Sequence, residues 1–128
     1  MFCHNPNYPA LGSLFIVDDD YDILFSLEHW FTKKGYAVSV FNHSNDLFAA
    51  LRKSVPDMIL LDINLHGEDG REICCRIKKD YNLNPPVILF SANPSALENY
   101  QDYSADGILH KPFDLQQILK LVNSFMPA

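Results

Sequence analysis

Four polar groups follow directly on apolar runs. Asp18-Asp19-Asp20 follows Leu14 to Val17, Asp62 follows Met58 to Leu61, Ser91 follows Val87 to Phe90, and Lys111-Pro112 follows Gly107 to His110. Each has an ordinary explanation taken singly, because Asp and Ser often cap a following helix and a lysine at a strand end is often solvated. Together they define a narrower chemistry. Carboxylates that converge repel one another unless a cation sits among them. An all-oxygen acidic pocket suits a hard ion such as Mg²⁺, which takes one or two carboxylates and keeps several waters. A lysine and a hydroxyl beside that pocket complete a phosphoryl site. Mg²⁺ and Lys111 would neutralise the phosphoryl oxygens, Ser91 would donate a hydrogen bond to one of them, and Asp62 would supply a nucleophilic carboxylate.

For these residues to meet, the runs before them must lie side by side and point the same way. The pattern of the chain supplies that arrangement. Short apolar runs at Leu14 to Val17, Ala37 to Phe41, Met58 to Leu61, Val87 to Phe90 and, more weakly, Gly107 to His110 read as strands. Nearly unbroken apolar runs are what strands buried on both faces require. Between them lie segments with helical spacing. Tyr21 to Lys34 carries Ile23, Leu27, Trp30 and Phe31 on one stripe and closes at Gly35; Ser44 to Ser54 carries Leu47, Phe48 and Leu51 and is stopped by Pro56. Gly70 to Asp80 carries Ile73, Cys74 and Ile77, a weaker helix falls near Ser95 to Tyr103, and Asp114 to Phe125 repeats Leu115, Ile118, Leu119, Val122 and Phe125 behind an Asp114 N-cap. Strict alternation of five strands and five helices predicts an α/β, doubly wound parallel sheet. In such sheets ligands bind at the carboxyl ends of the strands, the edge on which all four polar groups fall.

Composition sets the outer limits. A chain of 128 residues, 48% of them hydrophobic, fits one globular domain with a core large enough to dispense with disulfides or a structural metal. Residues 1–12, with Pro6 and Pro9, read as a loose tail, and residues 13–126 as the domain. Ten Lys and Arg against sixteen Asp and Glu leave a net charge of −6, which argues against direct nucleic-acid binding or attachment to an anionic membrane surface. Of three cysteines, Cys74 and Cys75 are adjacent and Cys3 is distant; they form no disulfide or zinc pattern, and the adjacent pair reads as small, partly buried thiols in a reducing compartment. No segment has the apolar length of a signal peptide or a membrane span, so the expected compartment is the cytoplasm.

The runs Leu14-Phe-Ile-Val-Asp-Asp-Asp20, Pro56 to Gly70, Val87-Ile-Leu-Phe-Ser-Ala92 and Ala105-Asp-Gly-Ile-Leu-His-Lys-Pro-Phe113 resemble the receiver domain of two-component response regulators, in the single-domain form typical of chemotaxis regulators. The resemblance extends from Leu14 to Phe125 and implies the flavodoxin-like strand order 2-1-3-4-5. It further implies that Asp62 accepts a phosphoryl group from the phosphohistidine of a histidine kinase or histidine phosphotransfer protein. Asp19 would bind Mg²⁺ directly, Asp18 mostly through water, and Asn64 through its backbone carbonyl, with Asp62 itself completing the metal set. Ser91 matches the switch hydroxyl, Lys111 the phosphoryl-binding lysine, and Gly70 the glycine that opens the third helix; the bond into Pro112 is commonly cis in the family. Such a domain is not an enzyme toward other substrates, since it promotes only its own phosphorylation and dephosphorylation. It signals by changing the binding of a downstream protein through the face of the fourth helix, fifth strand and fifth helix.

Some positions depart from that pattern. Ile108 stands where many receivers carry the Tyr or Phe that swings inward on activation, which argues against an aromatic switch there. His66 replaces a usual Pro in the loop after Asp62, which predicts a looser loop and places a titrating imidazole near the site. Asn64 and Asn93 are not acidic, so neither activates a water, and the lifetime of an aspartyl phosphate stays open. Tyr100 and Tyr103 fall near the expected output face.

Three other readings compete. A haloacid-dehalogenase type of phosphatase shares the D-x-D spacing of Asp18 to Asp20, but Asp22 stands where that family prefers Thr or Val and no room is left for a substrate-selecting cap. A flavin-binding module would need Gly, Ser or Thr amides after the first strand, where three aspartates would repel a phosphate. A degenerate receiver would keep the fold and bind partners without phosphorylation. Only three residues follow Phe125, which is compatible with a stand-alone receiver or with a piece of a longer regulator or hybrid kinase.

Overall fold

The computed structural model describes residues 11–81 and 83–126. Residues 1–10 of the expected tail lie outside them, while Leu11 and Gly12 are held by backbone bonds to Gly35 and Ala37. In chain order the elements are β1 (Ser13–Val17), α1 (Tyr21–Lys33), β2 (Ala37–Phe41), α2 (Ser44–Leu51), β3 (Met58–Asp62), β4 (Asn64–Leu65), β5 (Glu68–Asp69), α3 (Gly70–Lys79), β6 (Val87–Ser91), α4 (Pro94–Leu97), a 3-10 turn (Tyr100–Tyr103), β7 (Gly107–His110) and α5 (Leu115–Phe125).

The five long strands form one all-parallel sheet in the order β2-β1-β3-β6-β7. With the small β4–β5 hairpin set aside, this is the expected order 2-1-3-4-5. Side chains alternate across the sheet because the strand period is two. Leu14, Ile16, Met58, Leu60, Ile88 and Phe90 face one way and pack on Leu24, Leu27 and Phe31 of α1 and on Ile118 and Val122 of α5. Phe15, Val17, Ile59, Leu61, Val87 and Leu89 face the other way, against Leu47, Phe48 and Leu51 of α2, Ile73, Cys74 and Ile77 of α3, and Leu97 of α4. Cys74 is a free, fully buried thiol whose pKa burial pushes up to about 12, which makes it an inert part of the core. No helix among the described residues is long and apolar enough to cross a membrane.

One local expectation is corrected, and one element is added. The fourth helix does not run from Ser95 to Tyr103. Asn93 caps Ser95 N–H and Pro94 opens the helix, so it starts a residue earlier; it ends at Leu97, and a separate 3-10 turn follows. Leu97 is its one fully buried apolar anchor, and Ser104, at φ +66°, turns the chain into β7. The loop after Asp62 holds an element that the sequence did not mark. It folds back as the antiparallel β4–β5 hairpin, turned at Gly67 with φ +79° and tied to α2 by the Ser44 hydroxyl donating to Glu68 at 2.6 Å. Replacing Pro by His66 leaves the turn intact because Gly67 supplies the left-handed residue it needs.

Candidate functional site

Strand register assembles the site. Val17 pairs with Leu61, so Asp18 and Asp62 are the next neighbours along that ladder; Asp62 pairs with Phe90, and Ser91 with His110. One step past the apolar core, the polar residues therefore stand side by side on the carboxyl edge. Asp18 is 0% exposed, Asp62 3% and Ser91 1%, while Asp19 is half-buried and Asp20 exposed. Three adjacent aspartates thus have three environments. Asp18 N–H donates to the Phe41 carbonyl at 3.1 Å, and its Oδ1 accepts from Asp20 N–H at 2.9 Å. Asp20 caps α1 by accepting from Asp22 and Ile23 N–H, which removes it from the pocket. Asp19 Oδ2 accepts from His66 N–H at 3.4 Å, joining the hairpin to the pocket wall.

Lys111 reaches in from the far side of the sheet. Its Nζ donates to Asp18 Oδ2 at 3.0 Å and stands 3.4 Å from Asp62 Oδ2, with the Phe90 ring beneath at 4.9 Å. Its N–H donates to the Ser91 carbonyl at 2.9 Å, and the Lys111-Pro112 bond is cis. Ser91 Oγ accepts from Asn93 N–H at 3.0 Å, which leaves its own proton available to a ligand. Asn64 N–H donates to Asp62 Oδ1 at 3.3 Å, so the Asn64 main chain lies against Asp62 while its side chain is exposed.

The electrostatics leave room for a cation. One oxygen from each of Asp18, Asp19 and Asp62 lies within 4.8 Å of the others, an all-oxygen donor set that fits a hard divalent ion. Lys111 offsets only one of these three carboxylates. Burial, and next the charge of Asp18, push the Asp62 carboxyl up to about 7 against the opposing pull of Lys111. A divalent ion at this set would relieve that strain.

All the expected site residues, Asp18, Asp19, Asp62, Asn64, Ser91 and Lys111, are therefore brought to one crevice. The His66 imidazole is 72% exposed, with Nδ1 3.9 Å from Asp19 Oδ2. Ile108 is half-buried and packs on the α2–α3 side of the core. Gly70 is required by space rather than by dihedral angle. Its N–H donates to the Ile63 carbonyl at 2.7 Å, and a Cβ there would collide with the Asp62 carbonyl oxygen and come within 2.8 Å of Ile63 Cα. Sequence reasoning missed the Asp69–Arg71 pair beneath the hairpin. Asp69 caps α3 at Arg71 N–H and takes the Arg71 guanidinium at 2.7 Å, which holds the Asp69 carboxyl below its usual range. The D-G-R run was a cap signal on the page.

A parallel doubly wound sheet with an acidic, lysine-bridged crevice at its carboxyl edge defines a class of α/β signalling domain, and the comparisons specify it. The model of the response regulator receiver domain matches residues 14–123, and the chain belongs to that family. It is 34% identical over 113 residues, 87% of its length, to the DNA-binding transcriptional regulator NtrC of Proteus hauseri, of which it spans about a quarter (24%). The receiver domain of NtrX from Brucella abortus superposes with a TM-score of 0.79 at 23% identity, over 87% of this chain and 95% of that one. The BeF3-activated DrrB receiver domain superposes with a TM-score of 0.77 at 25% identity, over 89% and 96% of the two chains.

Proposed function

We propose that this receiver domain is a phosphorylation switch that takes a phosphoryl group from the phosphohistidine of a histidine kinase or phosphotransfer protein onto Asp62, in a Mg²⁺-dependent reaction. The observation that carries this reading is Lys111 Nζ set between the buried carboxylates of Asp18 and Asp62, with an oxygen of Asp19 close by. In the transfer, an Asp62 carboxylate oxygen bonds to phosphorus as the phosphorus–nitrogen bond of the donor breaks, and the electron pair returns to the imidazole. Mg²⁺, held by Asp18, Asp19, Asp62 and the Asn64 carbonyl, would neutralise charge on the phosphoryl oxygens. Lys111, drawn toward the new dianion, leaves Asp18; the Ser91 hydroxyl donates to a phosphoryl oxygen. These shifts bias the α4–β7–α5 face, where a downstream protein binds. That bias is limited to the difference in how the phosphoryl group interacts with the two states. The DrrB receiver, activated by BeF3, supports the reading by similarity.

Intact mass after incubation with acetyl phosphate tests it. A gain of one phosphoryl mass is expected in the wild type with Mg²⁺, and none in Asp62→Asn or with a chelator. No gain under any condition would overturn the proposal in favour of a receiver that binds partners without phosphorylation.

A further inference from the structure

At the opposite end of the sheet from Asp62, two arginines share one pair of stacked rings. Phe48 of α2 and Tyr81, just after α3, stack with centroids 4.8 Å apart and planes at 14°. The Arg76 guanidinium lies over the Phe48 ring at 4.3 Å, and Arg52 Nη1 donates to the Tyr81 hydroxyl at 3.2 Å. Both arginines are exposed, as are their neighbours Lys53 and Lys79. Lysine or arginine at a helix C-terminus is ordinary, since it complements the helix dipole. Other cations also lie over rings, Lys34 over Trp30 and Arg71 over Tyr103, but these two share one stacked pair. Arg71, Lys78 and Lys111 pair with carboxylates, whereas among the described residues neither Arg52 nor Arg76 forms an ion pair, although Glu72 and Asp80 lie one turn away from Arg76 on the same helical segment. The remaining residues contribute no Asp or Glu side chain. Two like charges are thus held against one aromatic pair, Arg76 over the Phe48 ring and Arg52 by one hydrogen bond to the Tyr81 hydroxyl, with the other guanidinium donors free of carboxylate partners, a preorganised arrangement for an acidic ligand.

We infer that this end of α2 and α3 is a docking surface for a short acidic segment of a partner protein. The choice of a short segment follows from the rest of the charge distribution. The net charge is −6 and the carboxyl edge carries the aspartate cluster, so an extended polyanion such as nucleic acid would meet repulsion beyond this patch. A segment bound here leaves the Asp62 crevice at the other end of the strands open, so docking and phosphotransfer are compatible.

Hexaglutamate peptide, titrated at low ionic strength and followed by amide chemical shifts, is the probe. Shifts are expected at Arg52, Arg76 and Tyr81, with affinity falling at least tenfold in Arg52→Gln/Arg76→Gln. Arg76→Lys, which keeps the charge and loses the guanidinium over the Phe48 ring, should lose several-fold. Lys33→Gln/Lys34→Gln, at the end of α1, should change affinity less than twofold. Equal losses in the α1 variant, or none in the arginine variants, would reduce the effect to diffuse charge and overturn the inference. So would no binding at millimolar peptide, tighter binding of a short DNA duplex, or a self-association by sedimentation that the arginine variants abolish, which would make a second copy the occupant. Unchanged mass gain from acetyl phosphate in the arginine variants would show that the crevice is intact in every case.

Discussion

At the residue scale, the determining feature is a carboxylate held where its charge is costly. Asp62 lies on the same edge as Asp18, buried, with one lysine between them, and its carboxyl is pushed up to about 7. As pH rises from about 4, the unfolded chain gives up this proton first while the native protein keeps it. The metal-free fold therefore loses stability until about pH 7 and stays at that deficit above it. Asp62→Asn removes the titration while preserving shape. The variant is expected to match the wild type near pH 4 and to exceed it by about 4 kcal/mol at pH 8 without metal, as measured by urea unfolding. Equal differences at the two pH values would exclude buried charge as the cause. The identities of these residues were legible in the sequence because each stands one position past an apolar run. Their division of labour was not legible from spacing: the family resemblance singled out Asp18 and Asp19, and the turn into α1 supplies the physical reason, making Asp20 a cap and leaving Asp18 buried against Lys111.

At the element scale, strands and long helices were readable because period and burial agree. α2 and α3 bury the apolar residues their spacing marks, and Asp114 forms a capping box with Gln117 as the start of α5 suggested. α1 buries Leu24 as well as Leu27 and Phe31, a shift of its stripe by one position that leaves Ile23 and Trp30 at the margin. The segment between β6 and β7 was misread because Leu97 and Tyr100 satisfy helical spacing while the chain between them breaks at Asn99, with φ −108° and ψ 40°. Two residues of β4 and two of β5 are too short to leave a periodic trace. The hairpin they form depends on Gly70, whose missing Cβ lets α3 start against the carbonyl of Asp62. Gly70→Ala must push α3 or β3 aside, since backbone rather than a flexible side-chain end fills the space. A loss of about 2 to 3 kcal/mol is expected in thermal or urea unfolding, together with weakened phosphorylation of Asp62 by mass. Unaltered stability would mean that α3 can slide without cost and that the close approach does not fix Asp62.

At the scale of the whole molecule, two halves of one sheet meet at a single charged seam. β1 with α1, and β3 with its hairpin, bring Asp18, Asp19 and Asp62; β6 and β7 bring Ser91 and Lys111. Without a divalent ion, the seam holds three carboxylates against one amine, so the fold carries an electrostatic cost that packing must offset. An ion bound only by the native state adds stability by mass action, about 2.7 kcal/mol at a hundred times its dissociation constant. For a domain of this size that is a rise in melting temperature of roughly 10 °C. Mg²⁺ is expected to produce such a rise in the wild type and little or none in Asp19→Asn or Asp62→Asn. The accompanying gain in hydrogen-exchange protection should concentrate at the ends of β1 and β3 and spare the α2–α3 end near Arg52 and Arg76. A rise of equal size in both variants would place the ion elsewhere, and protection spread evenly over the sheet would mean that the seam does not open by itself in the metal-free protein. The strand ends would then be held by the apolar faces of the sheet alone, and the phosphoryl group would have to move Lys111 and Ser91 against a rigid frame.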